Sequence, residues 1–427
     1  MLDMKFIREN PDLLKQAISK RHYSFDLERL LKIDEARRAL IKEVEALREE
    51  QNKASENFLP AGRQGSKDKL DDLKQLKESL QKKEAEFSKI DEEFRRLMLL
   101  VPNIPDPTVP EGKSDEDNVE IRKVGEPKNF NFKIRDHHTL LRELDLVDLE
   151  RGTKVSGFRG YFLKNEGALL SMALWQFALD YLVQKGFTPF IAPSLVKENI
   201  FIEAGKLPLF REDLYATDDN LFLVPSAEIP MMGYHENEIL LEEELPKKYV
   251  AFSPCYRREA GSYGKDEKGV YRLHEFMKVE QIILCKAEHQ ESVRWHEELT
   301  KYSEEILQAL ELPYRVVINC AGDLPFGFVK MYDIEAWIPS EKRYRESHSS
   351  SIVHDFQTRR LKIRYKSADG KTLFAHSLNN TAIATPRILQ SLLENHQIED
   401  GSVLIPEVLR KYIGKDVITP RSSKNVS

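Results

Sequence analysis

Cysteine is scarce in this sequence, and the spacing of the cysteines argues against both a disulfide framework and a zinc site. Only Cys255, Cys285 and Cys320 occur among 427 residues, and no two of them form a CxxC pair. A disulfide framework or a thiolate zinc site would need closely paired cysteines. The histidines, including His137 and His138, also lack the spacing of metal ligands. The sequence therefore predicts buried free thiols and no zinc.

Long uninterrupted apolar runs are also missing. A membrane-spanning helix would need about 18 apolar residues without charge, and no such stretch is present. The N-terminus has charges among its apolar positions and lacks the apolar centre of a signal peptide. We expect a cytoplasmic protein that binds no membrane.

Phosphate loops of the GxxxxGK[ST] and GxGxxG types are absent, so any nucleotide has to be held by side chains on strands.

Charge is abundant and nearly balanced. Charged residues make up 32% of the chain and hydrophobic residues 41%, and the net charge is −6. This composition is typical of a soluble globular protein, and the length predicts two domains at roughly 100–200 residues each. Because the net charge is negative, contact with a nucleic acid would depend on a local basic surface.

The segment from about Leu30 to Val101 is nearly free of proline and glycine, apart from LPAGRQGS at residues 59–66. A 4,3 spacing on both sides of this interruption predicts two antiparallel helices that form a coiled coil over about 27–101. Arms of about 30 residues would reach roughly 45 Å. The predicted seam positions are Ile33, Arg37, Leu40, Val44, Leu47, Gln51, Ala54 and Phe58, and then Leu73, Leu76, Leu80, Lys83, Phe87, Ile90, Phe94, Leu97 and Val101.

Four prolines within residues 102–112 end this helical arm. Proline cannot continue a helix, so the stretch predicts an extended linker and a domain boundary. Beyond it, short strand-like runs and amphipathic helices are not arranged as regular βαβ units. This pattern favours an α+β fold with an antiparallel sheet flanked by helices over a doubly wound parallel sheet. The predicted domains are residues 1–110, a helical arm, and residues 111–427, which contain the sheet.

The strongest local pattern is YRREAGSYGKDEKGVYRLHEFMKVE at residues 256–280. Glycines in its middle part, Gly261, Gly264 and Gly269, predict the turn of a hairpin. On an extended strand Arg257 and Glu259 would point one way and Arg258 the other. An arginine and a carboxylate would then line one surface.

The return strand of this hairpin would carry Arg272, Phe276 and Glu280. Even spacing places these residues on one face. Together with Arg257 and Glu259, they could hold ATP and an amino acid through guanidinium, aromatic and carboxylate groups. The competing interpretation is that Arg and Glu form cross-strand ion pairs without function.

At these residues the sequence resembles the class II aminoacyl-tRNA synthetases, and specifically the seryl-tRNA synthetase family. Residues 256–280 resemble motif 2 of that family. The stretch GFTPFIAPSLV, with Pro193, resembles the dimer-forming motif 1, and HSLNNTAIATPRILQSLLENHQ resembles motif 3, in which Arg387 would open the final helix. The resemblance covers almost the whole chain. It implies a homodimer whose N-terminal coiled coil grips the long variable arm of a tRNA.

The resemblance also implies an ATP site. Arg257 would contact the α-phosphate, Glu259 the adenine amino group, and Arg272 and Arg387 the outer phosphates, with Phe276 stacked on the adenine. The implied ATP-binding residues are Arg257, Arg258, Glu259, Arg272, Leu273, Phe276, Glu346, Ser347, His348, Ser349 and Arg387. Among these, Glu346 and Ser349 would also bind Mg²⁺ together with ATP.

A serine pocket is implied in the same way, with Arg257, Arg387 and Glu280 as catalytic residues. Its members would be Ser226, Ala227, Glu228, Arg257, Glu280, Asn379 and Thr381. A buried carboxylate that expects a hydroxyl would disfavour alanine by about 10⁴. The implied reaction is activation of L-serine to seryl-adenylate by ATP, followed by transfer to tRNA(Ser) and also to tRNA(Sec).

Several positions depart from the common family pattern. Ser226 stands where threonine is usual and keeps the hydroxyl. His348 stands where serine is expected, and it is either an ATP contact or a packed or exposed histidine without a role in binding. Pro386, directly before Arg387, fits a helix start only if it belongs to the first turn.

Three alternatives remain open from the sequence. A catalytically altered, synthetase-like binding protein would be marked by loss of Arg257, Arg272 or Arg387, and all three are present. A ligase that charges a carrier protein would lack the long arm and bind zinc. A synthetase for threonine or proline is opposed by the arm and by the Ser226-Ala227-Glu228 triplet.

Overall fold

The computed structural model describes residues 1–56, 67–260 and 269–421, with residues 67–70 described by their backbone. The predicted arm tip at residues 59–66 lies outside these ranges. So do the predicted turn around Gly261 and Gly264 and residues 422–427. Within the described part of the chain, no helix combines the length and apolar character that crossing a bilayer requires.

The chain divides into two compact units. One unit comprises Leu2–Ser19 and Tyr23–Pro102, and the other comprises Met1, Lys20–His22 and Asn103–Ser427.

The first unit is helical. Its helices are α1 (Met4–Glu9), α2 (Pro11–Lys20), α3 (Leu27–Glu56) and α4 (Lys67–Leu99). The two long helices confirm the predicted helical pair, and ion pairs between them show that they are antiparallel. These are Arg29–Glu93, Arg37–Asp91 and Arg48–Glu84, at 2.5, 2.7 and 2.7 Å.

The seam between α3 and α4 follows the predicted 4,3 spacing. Every predicted seam position that the structure describes is buried or half-buried, and Leu40, Val44, Leu80 and Leu97 are among the buried ones. Phe58 lies outside the described residues. Arg37 occupies a seam position because its guanidinium stacks on Phe94 at 4.6 Å while it pairs with Asp91. A cation thus stays within an apolar seam through stacking and pairing.

The second unit contains the remaining elements. Its helices are α5 (His137–Glu143), α6 (Leu149–Ser156), α7 (Asn165–Gln184), α8 (Glu198–Glu203), α9 (Glu228–Gly233), α10 (His289–Ala309), α11 (Phe356–Leu361), α12 (Arg387–His396) and α13 (Glu407–Ile413). Its strands are β1 (Val119–Val124), β2 (Val147–Asp148), β3 (Phe162–Leu163), β4 (Thr188–Ile191), β5 (Leu195–Lys197), β6 (Leu221–Leu223), β7 (Ile239–Leu241), β8 (Lys247–Tyr256), β9 (Glu275–Cys285), β10 (Tyr314–Ile318), β11 (Lys330–Ile338), β12 (Arg343–His354), β13 (Arg364–Lys366), β14 (Thr372–Phe374), β15 (His376–Thr385), β16 (Val403–Leu404) and β17 (Val417–Ile418).

An eight-stranded sheet dominates this unit, in the order β1-β10-β11-β12-β15-β9-β8-β4. Neighbours pair antiparallel, except that the edge strand β4 runs parallel to β8. This confirms the predicted α+β fold with a mainly antiparallel sheet.

Hydrophobic cores lie on both faces of the sheet. On β9, Ile283 belongs to a core with side chains of α7, α10 and α12, whereas its neighbours Ile282 and Leu284 belong to a core with side chains of α8, α9 and α11. Alternate residues of a strand point to opposite faces. Phe276, Lys278 and Glu280 therefore share the face of Ile282 and Leu284.

The predicted extent of the hairpin strands is wrong, and so is the prediction that Arg387 opens the final helix. Strand β8 ends at Tyr256 and β9 begins at Glu275, so Arg257–Glu259 and Arg272 lie outside the strands. Glu259 has a left-handed backbone, with φ of 56°, which breaks the strand alternation assumed for it. Arg387 does begin a helix directly after Pro386, but α13 follows it, so α12 is not the final helix.

Candidate active site

A cleft of about 340 Å³ opens on the sheet face that carries Phe276, Lys278 and Glu280. Strands β9, β12 and β15 supply its floor, and the segment after α8 supplies one wall. Its lining includes Lys206, Ser226, Glu228, Arg257, Phe276, Lys278, Glu280, Glu346, Ser347, Ser349, Ser351, Asn379, Thr381 and Arg387. Most of the predicted site residues are therefore brought together from segments that are far apart in sequence.

The floor of the cleft holds a buried ion pair. Lys278 Nζ lies 2.5 Å from Glu280 Oε2, and both side chains are less than one-tenth exposed. Thr381, on the neighbouring strand β15, donates its hydroxyl to the same carboxylate at 3.3 Å. Burial raises the pKa of Glu280, and the Lys278 ammonium opposes that rise. Lys278 was not predicted as a site residue.

Glu228 is a second buried carboxylate, at the start of α9. Its backbone N–H donates to Ser226 Oγ at 3.1 Å. Its Oε1 accepts a hydrogen bond of 2.6 Å from Gln357, and its Oε2 lies 3.7 Å from Lys206 Nζ. In this carboxylate, Oε1 is therefore hydrogen-bonded to Gln357 and Oε2 faces the Lys206 ammonium.

Arg257 and Phe276 lie together on another part of the cleft wall. The Arg257 guanidinium stands 5.1 Å from the centre of the Phe276 ring, and one of its nitrogens lies 3.4 Å from the Pro225 carbonyl oxygen. An aromatic face and a cation are thus held side by side. Such a pair suits a heterocyclic base next to a phosphate.

Arg387, at the first position of α12, approaches the same cleft from the side of β12. Its guanidinium donates to Glu346 Oε1 at 3.2 Å and stacks on the Tyr271 ring at 4.7 Å. Arg345 stacks on Tyr271 as well, at 3.7 Å, and the Tyr271 hydroxyl donates to the Glu346 carbonyl oxygen at 3.0 Å. Desolvation works against ionisation of Glu346, but Arg387, Arg257 and Arg272 outweigh it and lower its pKa.

Ser349 completes this side of the cleft. Its hydroxyl donates to Asp333 Oδ1 at 2.6 Å, and Asn319 donates to the other oxygen of Asp333 at 2.8 Å. Burial, followed by the nearby charge of Glu346, raises the pKa of Asp333 well above its usual range. Carboxylate and hydroxyl oxygens are thus concentrated beside Glu346, and oxygen is the ligand that Mg²⁺ prefers.

Two predicted residues, Glu259 and Arg272, bind each other instead of lining the cleft. Arg272 Nη1 lies 2.6 Å from Glu259 Oε2. Tyr271, directly before Arg272 in the chain, contacts the cleft residues Glu346 and Arg387.

Four other predicted residues have side chains that do not line the cleft. Ala227 and Leu273 are buried in hydrophobic cores on different faces of the sheet. Arg258 stacks on Tyr215 at 5.6 Å. His348 is 1% exposed and bonds to Ser347 Oγ at 2.7 Å and to the Ala382 carbonyl at 3.0 Å.

His348 points away because of an irregularity in the sheet. Between β11 and β12 the register shifts at Ile334/Glu335, so Glu346 pairs with Glu335 and His348 with Ile334. One extra residue, Ser347, lies between these pairs, which lets both Glu346 and Ser347 face the cleft. Burial lowers the pKa of His348 to about 4. The interpretation as a packed histidine therefore fits the structure.

Some cleft residues were missed from the sequence. Lys278 carried a usable signal, because it lies between Phe276 and Glu280 at even spacing and so had to share their face. Lys206, and Asp333 behind the cleft residue Ser349, carried none, since they belong to other segments that only the folded chain brings here.

Two family models match the chain. The tRNA synthetase class II core domain (G, H, P, S and T) matches residues 211–396, and the seryl-tRNA synthetase N-terminal domain matches residues 1–105.

Curated relatives match it over nearly its full length. A serine–tRNA ligase of Deinococcus radiodurans is 46% identical over 422 residues, which cover 97% of this chain and 98% of the relative. A serine–tRNA ligase of Thermodesulfovibrio yellowstonii is 43% identical over 425 residues, which cover 98% of this chain and all of the relative (100%).

Solved structures agree with these matches. Seryl-tRNA synthetase from Pyrococcus horikoshii, complexed with ATP, superposes with a TM-score of 0.90 at 40% identity and covers 99% of this chain and 100% of its own. Cytoplasmic serine–tRNA ligase from Naegleria fowleri, in complex with AMP, superposes with a TM-score of 0.87 at 30% identity and covers 99% of each chain.

Proposed function

The chain belongs to the seryl-tRNA synthetase family of class II aminoacyl-tRNA synthetases, and we propose that the cleft is where it binds ATP and L-serine. It activates serine with ATP and transfers the seryl group to tRNA. One observation supports this assignment of the cleft: carboxylates and guanidinium groups line the same cavity. They belong to Glu228, Glu280, Arg257 and Arg387. Carboxylates suit an ammonium group, and guanidinium groups suit phosphates.

The two buried carboxylates take different parts of serine. Glu228 receives the ammonium, since its Oε2 already lies 3.7 Å from the Lys206 ammonium. Glu280, with Thr381, receives the side-chain hydroxyl, and Ser226 and Asn379 complete the pocket. Alanine would bring no hydroxyl to the buried Glu280 carboxylate, which disfavours it by about 10⁴. Threonine is excluded by lack of room.

ATP occupies the arginine side of the cleft. Phe276 stacks on the adenine, Arg257 contacts the α-phosphate and Arg387 an outer phosphate, with Ser347 nearby. Glu259 and Arg272 reach the nucleotide once their ion pair separates. The existing Arg257–Phe276 stack supports this arrangement, because it already places a cation beside an aromatic face.

Glu346 and Ser349 hold Mg²⁺ that arrives with ATP. Their oxygens fit this ion, which takes one or two protein carboxylates together with substrate phosphates. Bound there, Mg²⁺ would neutralise phosphate charge. The protein residues orient the reactants. The serine carboxylate attacks the α-phosphorus and pyrophosphate leaves. The tRNA 3′-terminal hydroxyl then attacks the carbonyl of seryl-adenylate, the acyl–phosphate bond breaks, and AMP leaves. Positioning and electrostatic stabilisation supply the catalysis.

Residues 1–110 form the tRNA-binding arm, and residues 111–427 form the catalytic domain. The antiparallel α3–α4 pair supports this division, because helices of 30 and 33 residues extend well beyond an ordinary domain helix. The substrate is tRNA(Ser). The family resemblance is the basis for also including tRNA(Sec) as a substrate and for a cytoplasmic location. A charging assay with transcripts of each tRNA tests whether tRNA(Sec) is a substrate.

The active protein is a homodimer. Apolar side chains of α7, β4 and β5 lie exposed on the catalytic unit, with Met172 at 57%, Ile191 at 86% and Leu195 at 49% exposure. Apolar patches of this kind mark protein interfaces. Sedimentation analysis of the wild type and Ile191→Asp tests the proposal, since the charged variant should dissociate.

A catalytically altered binding protein is the less favoured alternative. It would be expected to lack the phosphate-binding arginines, yet Arg257 and Arg387 both line the cleft.

ATP–pyrophosphate exchange with serine, threonine and alanine tests the proposed function. We expect exchange with serine alone, and a loss of about 100-fold or more in Glu280→Gln, which removes a buried charged acceptor. Glu275→Gln is the matched control, because Glu275 begins the same strand but does not line the cleft. Exchange with no amino acid would overturn the enzymatic proposal, and equal effects of the two variants would overturn the assignment of Glu280.

A further inference from the structure

Gln357 lies outside the cleft, yet it makes direct contact with a cleft carboxylate. It is the second residue of α11 and is 2% exposed. Its side-chain nitrogen Nε2 donates to Glu228 Oε1 at 2.6 Å and lies 3.2 Å from the Ala204 carbonyl oxygen. Its oxygen Oε1 accepts from Ser377 Oγ at 3.1 Å. Every polar atom of the side chain therefore has a partner.

These partners determine which way the amide points. The Glu228 carboxylate and the Ala204 carbonyl are both acceptors, so the group between them has to supply two hydrogens. A glutamine NH₂ has two, and its oxygen has none. The reversed amide would place three oxygens together without a donor. Ser377, on the other side, has a hydroxyl that donates to Oε1.

The fixed amide in turn determines the orientation of Glu228. That carboxylate is 4% exposed, so little water is available to solvate it. With Oε1 bonded to Gln357, Oε2 is the oxygen left toward Lys206 and the cleft. Hydrogen bonds to ionised groups are the stronger ones in proteins. Loss of this bond would leave Glu228 free to rotate away from the cleft.

We infer that Gln357 is a positioning residue that holds Glu228 in the orientation that receives the ammonium group of serine. This inference rests on the proposed function, in which Glu228 is the ammonium acceptor. Gln357 acts through Glu228 and does not touch the substrate. It should therefore affect the binding of the ammonium group and leave the binding of ATP unchanged.

The test compares Gln357→Met with Gln281→Met in ATP–pyrophosphate exchange on the full-length protein. Gln281 is a matched control because it is also fully buried and donates to Leu299 O and Ser303 Oγ, but it lies on β9 outside the cleft. We expect Gln357→Met to raise the KM for serine by about tenfold or more, with the KM for ATP changed by less than about twofold. Gln281→Met should leave both KM values near those of the wild type.

Two competitive inhibitors show whether the effect concerns the ammonium group. L-serinamide has the ammonium group of serine, whereas 3-hydroxypropionate has none. Gln357→Met should weaken inhibition by L-serinamide by the same factor as the KM for serine. Inhibition by 3-hydroxypropionate should stay unchanged. A merely structural role would affect both inhibitors alike.

Gln357→Asn provides a second variant, because it keeps an amide that is too short to reach Glu228. It should reproduce the serine effect. Provided that the wild type exchanges with serine, either of two results would overturn the inference. One is equal changes in the KM for serine and for ATP, and the other is an unchanged KM for serine. Unfolding of both Gln357 variants in thermal melts, with Gln281→Met folded, would assign Gln357 to stability and overturn it too. Failure of the wild type to exchange with serine would overturn the proposed function itself.

Discussion

Lys278 and Glu280 form an ion pair of 2.5 Å along one strand, and both side chains are buried on the cleft floor. Residues two apart on a strand share a face. The pair therefore arises from local sequence and does not depend on a distant segment. Because burial raises the pKa of Glu280, the adjacent ammonium is what favours its ionised form.

Replacement of Lys278 by methionine should destabilise the protein, and more so at high pH. Removing one partner of a buried ion pair costs about 3–5 kcal/mol. Without the ammonium, the pKa of Glu280 in the folded protein rises further above its value in the unfolded chain. The folded protein then binds the proton more tightly, so stability is lost as pH rises through the folded pKa. Urea denaturation at pH 5.5 and pH 8 measures the difference.

Two further variants serve as controls for this prediction. Lys301→Met removes a lysine that is 61% exposed and should have little effect at either pH. The double variant Lys278→Met/Glu280→Gln removes the uncompensated charge and should recover part of the lost stability. Equal destabilisation of Lys278→Met at both pH values would show that Glu280 stays neutral in the wild type as well.

Replacement of Arg387 by lysine should impair the use of ATP although it keeps the charge. Lysine cannot stack on Tyr271 as a planar guanidinium does, and it lacks the second nitrogen that would bind a phosphate while the first donates to Glu346. We expect the KM for ATP to rise by about 10-fold to 100-fold, corresponding to one charged hydrogen bond. Pyrophosphate exchange at varied ATP measures this. Arg364→Lys, in the short strand β13, is the control, and an equal effect there would contradict a specific role for Arg387.

The arm and the cleft floor could be predicted from the sequence because both depend on local spacing. The 4,3 pattern placed Leu40, Val44 and Leu80 in the seam between α3 and α4, where they are buried. Period-two spacing placed Phe276 and Glu280 on one face of β9, and both line the cleft.

Other parts of the site depend on geometry that spacing does not show. The left-handed backbone of Glu259 ends the strand alternation, so Glu259 binds Arg272 instead of sharing the face of Arg257. The register shift in β12 turns His348 to the back of the sheet. Gln357 reaches Glu228 across 129 positions of sequence. Such long-range contacts arise from packing, and no local pattern indicates them.

His348 should contribute to acid sensitivity without taking part in catalysis near neutral pH. Its pKa is lowered by burial to about 4, below the value of 6.5 in an unfolded chain. As pH falls below about 6.5, the unfolded chain takes up the proton first, so stability is lost down to about pH 4. His348→Asn should therefore lose less stability between pH 7.5 and pH 5 than the wild type, by about 2 kcal/mol. Urea denaturation at both pH values measures this, and identical losses would contradict the buried neutral state.

Charge reversal on the arm should weaken tRNA charging and leave serine activation intact. Lys74 and Lys77 are exposed on α4, away from the seam. If the arm binds the phosphate backbone, each lysine that contacts a phosphate adds about 0.9 to the slope of log affinity against log salt concentration. Lys74→Glu/Lys77→Glu should therefore raise the KM for tRNA by about tenfold or more at low salt and flatten its salt dependence.

Pyrophosphate exchange without tRNA should stay at the wild-type rate, since both residues belong to the helical unit. Lys366→Glu, exposed on the catalytic unit, is the control for a general loss of positive charge. Unchanged charging by the arm variant would place the tRNA contact elsewhere, and parallel loss of exchange would show that the arm affects the catalytic unit itself.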